Sequence, residues 1–219
     1  MAFWIASLAG LVVAYLLGAT PTGYLAGRWL KGIDLREQGS GSTGAANVLR
    51  NLGPGAFVAV LVADVAKGAA AILFALWFYP WLQALPGLTP PAASGSLTPW
   101  AVCLAGLAAL VGHSRSIWLG FKGGKSVAAG LGLLLALAWP VGLGGLAVFG
   151  VAVAISRMIS LGSILAAMTA IILICALDQP LPYRLLVIAG GVYVIVRHRA
   201  NIGRLMAGTE PRVGRSSAS

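Results

Sequence analysis

Charge is scarce in this sequence: Asp, Glu, Lys and Arg make up 9% of its 219 residues, where a water-soluble domain carries about 25%. Such a chain cannot present a hydrated surface, which excludes a soluble globular protein, and a hydrophobic fraction of 59% excludes a disordered one. Acidic residues are scarcer still: five, scattered, are too few for a convincing metal centre or carboxylate pair. The two cysteines, Cys103 and Cys175, sit in apolar runs without a partner motif and read as inert core residues. What the sequence does contain is apolar length, 30 glycines, and 15 basic residues against 5 acidic ones, for a net charge of +10. The class is an all-α integral membrane protein, and the placement of the basic residues becomes the informative question.

A spanning helix needs about 20 apolar residues. Residues 2–27 carry no charge and form the first span. The basic leader of a secretory signal is missing, and the first cation is Arg28, so this span reads as retained with its N-terminus outside. Residues 53–82 form the second, interrupted by Asp64 and Lys67. A Pro- and Ser-rich loop without charge follows at 83–98, and 99–119 form the third span. The uncharged run 127–155 is long for one helix. Trp139, Pro140 and the glycines at 142, 144 and 145 lie in its middle, so it reads as a hairpin of two short helices, about 13–15 residues each. Residues 159–177 and 183–196 supply the sixth and seventh helices, and one domain fills 1–219. This count puts 13 of the 15 basic residues on the inner side: Arg28, Lys31, Arg36, Arg50, Arg115, Lys122, Lys125, Arg157, Arg197, Arg199, Arg204, Arg212 and Arg215. Lys67 lies within a span and only Arg184 falls at an outer end. That asymmetry favours seven transmembrane helices with the N-terminus outside and the C-terminus cytoplasmic.

Orientation and attraction to anionic lipid account for scattered cations such as Arg212 and Arg215. They do not account for the glycines, hydroxyls, Asn and His interleaved with the others. In the segment 34–50, Gly39, Gly41 and Gly44 free the backbone to aim several N–H groups at one anion. Ser40, Ser42, Thr43 and Asn47 add neutral donors there, and Arg36 and Arg50 add charge; a flexible linker is the competing reading. Asp64 and Lys67, three residues apart, share a helix face near the inner interface, either as a structural ion pair or as the lining of a polar cavity. In the run from Gly112-His113 to Lys125-Ser126, Lys122 and Lys125 flank Gly123 and Gly124 just before a helix. That offers backbone N–H groups, a positive helix end and two cations to a phosphate, or else forms a basic surface turn. A Walker A loop would need its first glycine where Leu119 stands, with a strand before it. In the last segment, a helix continuing inward puts His198 and Asn201 on one face with Arg204 a turn along, and Ser160 and Ser163 sit at an inner turn.

Two absences narrow the chemistry. The acyltransferase pattern His-x-x-x-x-Asp does not occur, since Trp118 and Gly203 stand five residues after His113 and His198, and there is no G-x-S-x-G elbow. The inner face is therefore a receiver of phosphate-like anions beside the lipid.

These segments together resemble the PlsY-type acyl-phosphate:glycerol-3-phosphate acyltransferases. The resemblance rests on Pro21-Thr-Gly-Tyr-Leu-Ala-Gly-Arg28; Asp34-Leu-Arg36 with Gly39-Ser-Gly41, Gly44-Ala45, Asn47 and Arg50; Asp64-x-x-Lys67-Gly68; Gly112-His113 with Phe121-Lys-Gly-Gly-Lys125; Ser160-Leu-Gly-Ser163; and His198-x-x-Asn201-Ile-x-Arg204 with Gly208-x-Glu210. Ser42 stands where that family usually has Asn, and Ala46 where it has Thr. The resemblance implies a bacterial inner-membrane enzyme with its active site on the cytoplasmic side. Its reaction moves an acyl group from acyl-phosphate to the 1-hydroxyl of glycerol 3-phosphate, giving lysophosphatidic acid and phosphate.

The resemblance further implies catalytic roles for Ser40, Arg50, His198 and Asn201, and substrate or phosphate contacts for Gly39, Gly41, Ser42, Asn47, Lys67, Lys122, Gly123, Gly124, Lys125, Ser160 and Arg204. Glu210 is implied to be structural. No metal, cofactor or covalent acyl-enzyme is required, because an acyl-phosphate is already activated and positioning with charge neutralisation suffices. The implied partners are the two substrates, membrane lipid and an acyl-phosphate-producing enzyme, with no nucleic acid. A small transporter of phosphate-bearing anions is the alternative; it calls for cations on both faces, and the loop 83–98 has none.

Overall fold

The computed structural model describes residues 1–87 and 97–214; most of the uncharged loop expected at 83–98, and Arg215 of the basic tail, lie outside the described residues. Those described form ten α-helices: α1 (Ala2–Ala19), α2 (Thr22–Lys31), α3 (Ala45–Leu52), α4 (Pro54–Ala84), α5 (Leu97–Ser114), α6 (Val127–Leu137), α7 (Trp139–Ser156), α8 (Ile159–Ala176), α9 (Leu181–Arg197) and α10 (Arg199–Met206). Five helical segments are long and apolar enough to cross a bilayer, α1 and α2 together counting as one, and α9 with α10 makes a sixth. The protein is thus a multi-pass helical membrane protein. Its exterior carries Trp4, Leu8, Val62, Trp77, Ile155 and Ile172, while Asp64, Lys67, His113 and Asn201 are buried. That inversion suits lipid, where exposed apolar surface costs nothing and polar groups must find partners inside.

The first span is broken where an unbroken charge-free run was expected. Pro21 lacks the N–H that would continue the helix, and the carbonyls freed at the break are taken by side chains from elsewhere. Lys67 Nζ donates to Thr20 O at 2.7 Å, and Ser116 Oγ donates to Ala19 O at 2.6 Å. The break thereby fixes α1 and α2 to the second and third spans.

The long run 127–155 does divide into two helices, and the division falls at Ala138, directly before Trp139 and Pro140 and ahead of the glycines. Pro140 sits in the first turn of α7, where its missing N–H is tolerated. The halves are unequal, 11 and 18 residues, so α6 spans only about 16 Å. Two of the glycines serve packing: a Cβ on Gly142 would lie 2.9 Å from Leu135, and one on Gly144 2.4 Å from Leu173.

Glycine use elsewhere is paired and reciprocal. A Cβ on Gly18 would lie 2.1 Å from the Ala109 carbonyl and one on Gly112 2.2 Å from that of Tyr15, which locks α1 against α5. Gly68 meets Ala129 O at 2.0 Å and Gly132 meets Val65 O at 1.9 Å, locking α4 against α6 in the same way. Without a hydrophobic drive between helices in lipid, such backbone-to-backbone contact supplies the van der Waals packing that holds them.

The last helix bends by 57° at His198 where a straight inward extension was expected. The bend sets Asn201 of α10 beside Lys125 on the turn before α6.

Candidate active site

The segment 34–44 is shaped by one side chain. The Asn47 amide nitrogen reaches the carbonyls of Leu35 (3.1 Å), Gln38 (2.9 Å) and Ser42 (2.9 Å), while Asn47 Oδ1 accepts from the Ser40 N–H at 3.3 Å. Gly39 and Gly41 have φ +55° and +66°, and a Cβ on Gly39 would strike Asn47 Oδ1 at 2.6 Å, so the turn requires glycine on two counts. The loop is therefore an ordered cradle. Asp34 fixes its start: it caps the following turn, accepts from Arg36 N at 2.9 Å and pairs with Arg36 NH2 at 2.6 Å. The Arg36 guanidinium holds the Asp34 carboxyl well below its usual range, at about 2. At the other end Arg50 is exposed, and among the described residues its guanidinium has no hydrogen-bond partner.

The glycine–lysine turn is docked onto His113. Gly124 N donates to His113 O at 3.2 Å. A Cβ on Gly123 would lie 2.3 Å from that carbonyl, and one on Gly124 2.2 Å from His113 Nε2. Ser126 (φ +63°) opens α6, and its Oγ donates to Leu110 O at 2.7 Å. Lys122 points outward and is exposed, its backbone bridged to Ser116. Lys125 points inward, and burial depresses its ammonium to about 8, against the favourable charge of Glu210.

The C-terminal segment completes the enclosure. Lys125 Nζ donates to Asn201 Oδ1, Asn201 Nδ2 donates to Glu210 Oε1 at 2.6 Å, and Arg204 Nε donates to Glu210 Oε2 at 2.7 Å. Burial opposes the charge on Glu210, but the Asn201 and Arg204 donors outweigh it and hold the carboxyl below its ordinary value. Arg197 reaches the Gly124 carbonyl at 3.2 Å, and the His198 ring bonds Val194 O at 2.8 Å.

One polar cavity receives these parts. Ser40, Ser42, Asn47, Arg50, Lys125, Ser160, His198 and Asn201 all line it. Gly39, Gly41, Gly123 and Gly124, expected as contacts, do not line it; they shape the two turns that carry Ser40 and Lys125. Lys67 is committed elsewhere, to Thr20 O and to Asp64 Oδ1 at 2.7 Å, and Arg204 is committed to Glu210. Ala46, one of the two departures from the family pattern, lines the cavity beside Ser42. His113 and Glu210 line it too, residues the sequence did not single out as contacts, and so does Asp64, for which the sequence offered either an ion pair or a cavity lining. Asp64 Oδ1 is occupied by Thr22 (2.5 Å) and Lys67, which leaves Asp64 Oδ2, His113 Nδ1 and Ser160 Oγ buried in the wall without a hydrogen-bond partner. Such orphans mark where a ligand's polar groups belong. Only the tertiary fold brings His113 to 3.7 Å from Asp64, so no local signal could have joined them.

The polar cavity continues into an apolar one between the membrane helices; Leu61, Val127, Ala128, Phe149 and Ser163 line both. The apolar part runs from Val127 to Leu134 on α6, Phe149 to Gly142 on α7, Ser163 to Ala170 on α8, and Val194 to Leu186 on α9. Seven or eight residue steps along each helix give a depth of about 10–12 Å. Among the described residues no three His, Cys, Asp or Glu gather as a metal site would need.

A cationic pocket that opens into an apolar channel inside the bilayer defines a membrane enzyme for molecules with an anionic head and a hydrocarbon tail. The chain belongs to the glycerol-3-phosphate acyltransferase family, whose sequence profile, described as "Glycerol-3-phosphate acyltransferase", matches residues 8–208. It is 65% identical over 217 residues to glycerol-3-phosphate acyltransferase 2 of Rhizobium johnstonii, covering 98% of this chain and 99% of that one. It is 56% identical to the glycerol-3-phosphate acyltransferase of a Nostoc species, covering 98% and 95%. Its fold matches the crystal structure of PlsY (YgiH), an integral membrane glycerol 3-phosphate acyltransferase, in the glycerol 3-phosphate form, with a TM-score of 0.80 and 35% identity over 95% of this chain and 96% of that one. The lysophosphatidic acid form of PlsY matches with a TM-score of 0.77, 34% identity and 95% of each chain. Membership makes this chain an enzyme that acylates glycerol 3-phosphate in phospholipid synthesis.

Proposed function

We propose that the acyl donor is an acyl-phosphate and the product lysophosphatidic acid. The observation that carries this reading is the gathering of Arg50 and Lys125 over one polar cavity, where both substrates bring a phosphate. In the reaction the 1-hydroxyl oxygen of glycerol 3-phosphate bonds to the acyl carbonyl carbon. The bond from that carbon to the phosphate oxygen breaks, the electron pair leaves with inorganic phosphate, and the hydroxyl proton passes to that phosphate or to His198. An acyl-phosphate is a mixed anhydride with a good leaving group, so holding hydroxyl against carbonyl and neutralising phosphate charge supply the catalysis.

In this reading Arg50, the Gly123–Gly124 turn and Lys125 hold phosphate, while Ser40 and Ser160 donate to it. Asn201 keeps Lys125 aimed, and Asn47 keeps the cradle of Gly39, Gly41 and Ser42 in shape. Lys122 and Arg204 add positive potential, and Lys67 braces Asp64. The unpartnered atoms of Asp64 and His113 suit the glycerol hydroxyls. The acyl chain occupies the apolar cavity.

Purified protein in detergent, given acyl-phosphate and glycerol 3-phosphate, is expected to release lysophosphatidic acid and phosphate without acyl-CoA. Turnover with acyl-CoA alone would overturn the donor assignment.

For topology we propose one domain over 1–219 with seven helices, α6 as a short one, the N-terminus outside and the site facing the cytoplasm of a bacterial inner membrane. There it meets the enzyme that makes acyl-phosphate. Cysteines introduced at Ala93 and Gly214, after replacement of Cys103 and Cys175, are expected to label from opposite sides; labelling from one side would defeat the odd count.

A further inference from the structure

We infer that Gly130, Gly145 and Leu134 set the length of acyl chain this enzyme accepts. The inference rests on the reading that the acyl chain enters the apolar cavity. Both glycines line that cavity, yet neither is required by packing. A Cβ on Gly130 would meet only Leu110, at 3.8 Å, and one on Gly145 would lie at an ordinary 3.4 Å from Ala166 O. This sets them apart from Gly132 and Gly142, whose Cβ positions are filled by neighbouring helices. The space that Gly130 and Gly145 leave is therefore left to the cavity.

The far end is closed. Leu134 lines the cavity and packs against a buried cluster that includes Val141 and Ile174, both fully inaccessible. A hydrocarbon chain advances about 1.25 Å per methylene, from a C–C bond near 1.5 Å and a near-tetrahedral angle. A depth of about 10–12 Å then admits about eight or nine methylenes below the level of Val127 and Phe149. Gly145 lies one turn below Phe149 and Gly130 one turn below Val127. A side chain at Gly145 stops the chain about four methylenes short of the floor, and one at Gly130 about five short.

The test compares wild type with Gly130→Leu, Gly145→Leu and Leu134→Ala, using saturated acyl-phosphates from octanoyl to stearoyl. The two leucine variants are expected to keep activity on the shortest donors and to lose about fourfold in kcat/KM for each methylene that no longer fits. Leu134→Ala shifts the optimum to longer chains. Leucine in place of glycine also favours helix, so folded yield is expected to hold.

The second readout uses no donor: thermal stabilisation by lysophosphatidic acids of the same chain lengths is expected to shift in parallel. An unchanged chain-length profile, or equal loss at every length in both readouts, overturns the inference. Failure of the donor assignment looks different, with no product from wild type at any length while the lysophosphatidic acid series still reports on the cavity.

Discussion

The ammonium of Lys125, on the turn before α6, donates to the side-chain oxygen of Asn201 on α10, and Asn201 is held in turn by Glu210. The lysine is thus aimed by a residue 76 positions away. Glu210, whose family role reads as structural, belongs to the same chain of contacts and also lines the cavity. Asn201→Ala and Glu210→Gln are each expected to lower kcat/KM by about 10- to 100-fold, the worth of a buried charge-assisted hydrogen bond. The double variant is expected to lose little more than the worse single one, because both act through Lys125; additive losses in a double-mutant cycle would show separate roles.

Lys125 is expected to set an alkaline limit on activity. Burial places its ammonium at about 8 in the free protein, so it is cationic below that pH and neutral above it. kcat/KM for glycerol 3-phosphate is expected to fall as pH rises through about 8, and Lys125→Arg, which keeps its charge, is expected to remove that limb. A profile that keeps its alkaline fall in the arginine variant would assign it to another group.

Arg50 contributes to the site without contributing to the fold. Its guanidinium has no hydrogen-bond partner among the described residues, so Arg50→Ala is expected to leave folded yield and melting temperature nearly unchanged. Activity is expected to fall about 10- to 150-fold with the loss of a charged phosphate contact. Arg50→Lys restores only part of it, since a point charge replaces a planar fork. Measuring yield and activity together checks both halves.

Gly132 and Gly130 sit two residues apart on α6 and are expected to behave oppositely. A Cβ at Gly132 lands 1.9 Å from the Val65 carbonyl, a backbone atom that cannot yield. Gly132→Val is expected to destabilise the α4–α6 interface by about 1–3 kcal/mol or more and to lower folded yield, as overpacking does. Gly130→Val faces open cavity and is expected to fold normally, which a thermal melt of the two variants decides.

Composition and charge order were enough to read helices, membrane and the polar segments, because hydropathy over about 20 residues and an asymmetric placement of arginine are local properties. The interleaving of Gly, Ser, Asn and Arg in 34–50 marked a shaped turn for the same reason: the backbone freedom it needs is written residue by residue. Breaks within apolar runs were less legible. The break at Thr20–Pro21 was not marked inside a charge-free stretch, and the glycines that stood with Trp139 and Pro140 as signs of a division lie inside α7, where Gly142 and Gly144 serve close packing. Periodicity carries no record of which neighbour a glycine serves.

Hydropathy and charge order were enough to place this chain in a bilayer with its cations gathered beside glycines. Contacts between distant helices select which of those cations face the cavity. Lys125 turns into the cavity while Lys122 faces out, and Lys67 is spent on Thr20 and Asp64. The tertiary fold also brought Asp64 and His113 into the wall with unpartnered atoms, and joined the polar pocket to an apolar one. Those outcomes depend on helix contacts between residues tens of positions apart, and such contacts leave no trace in local composition.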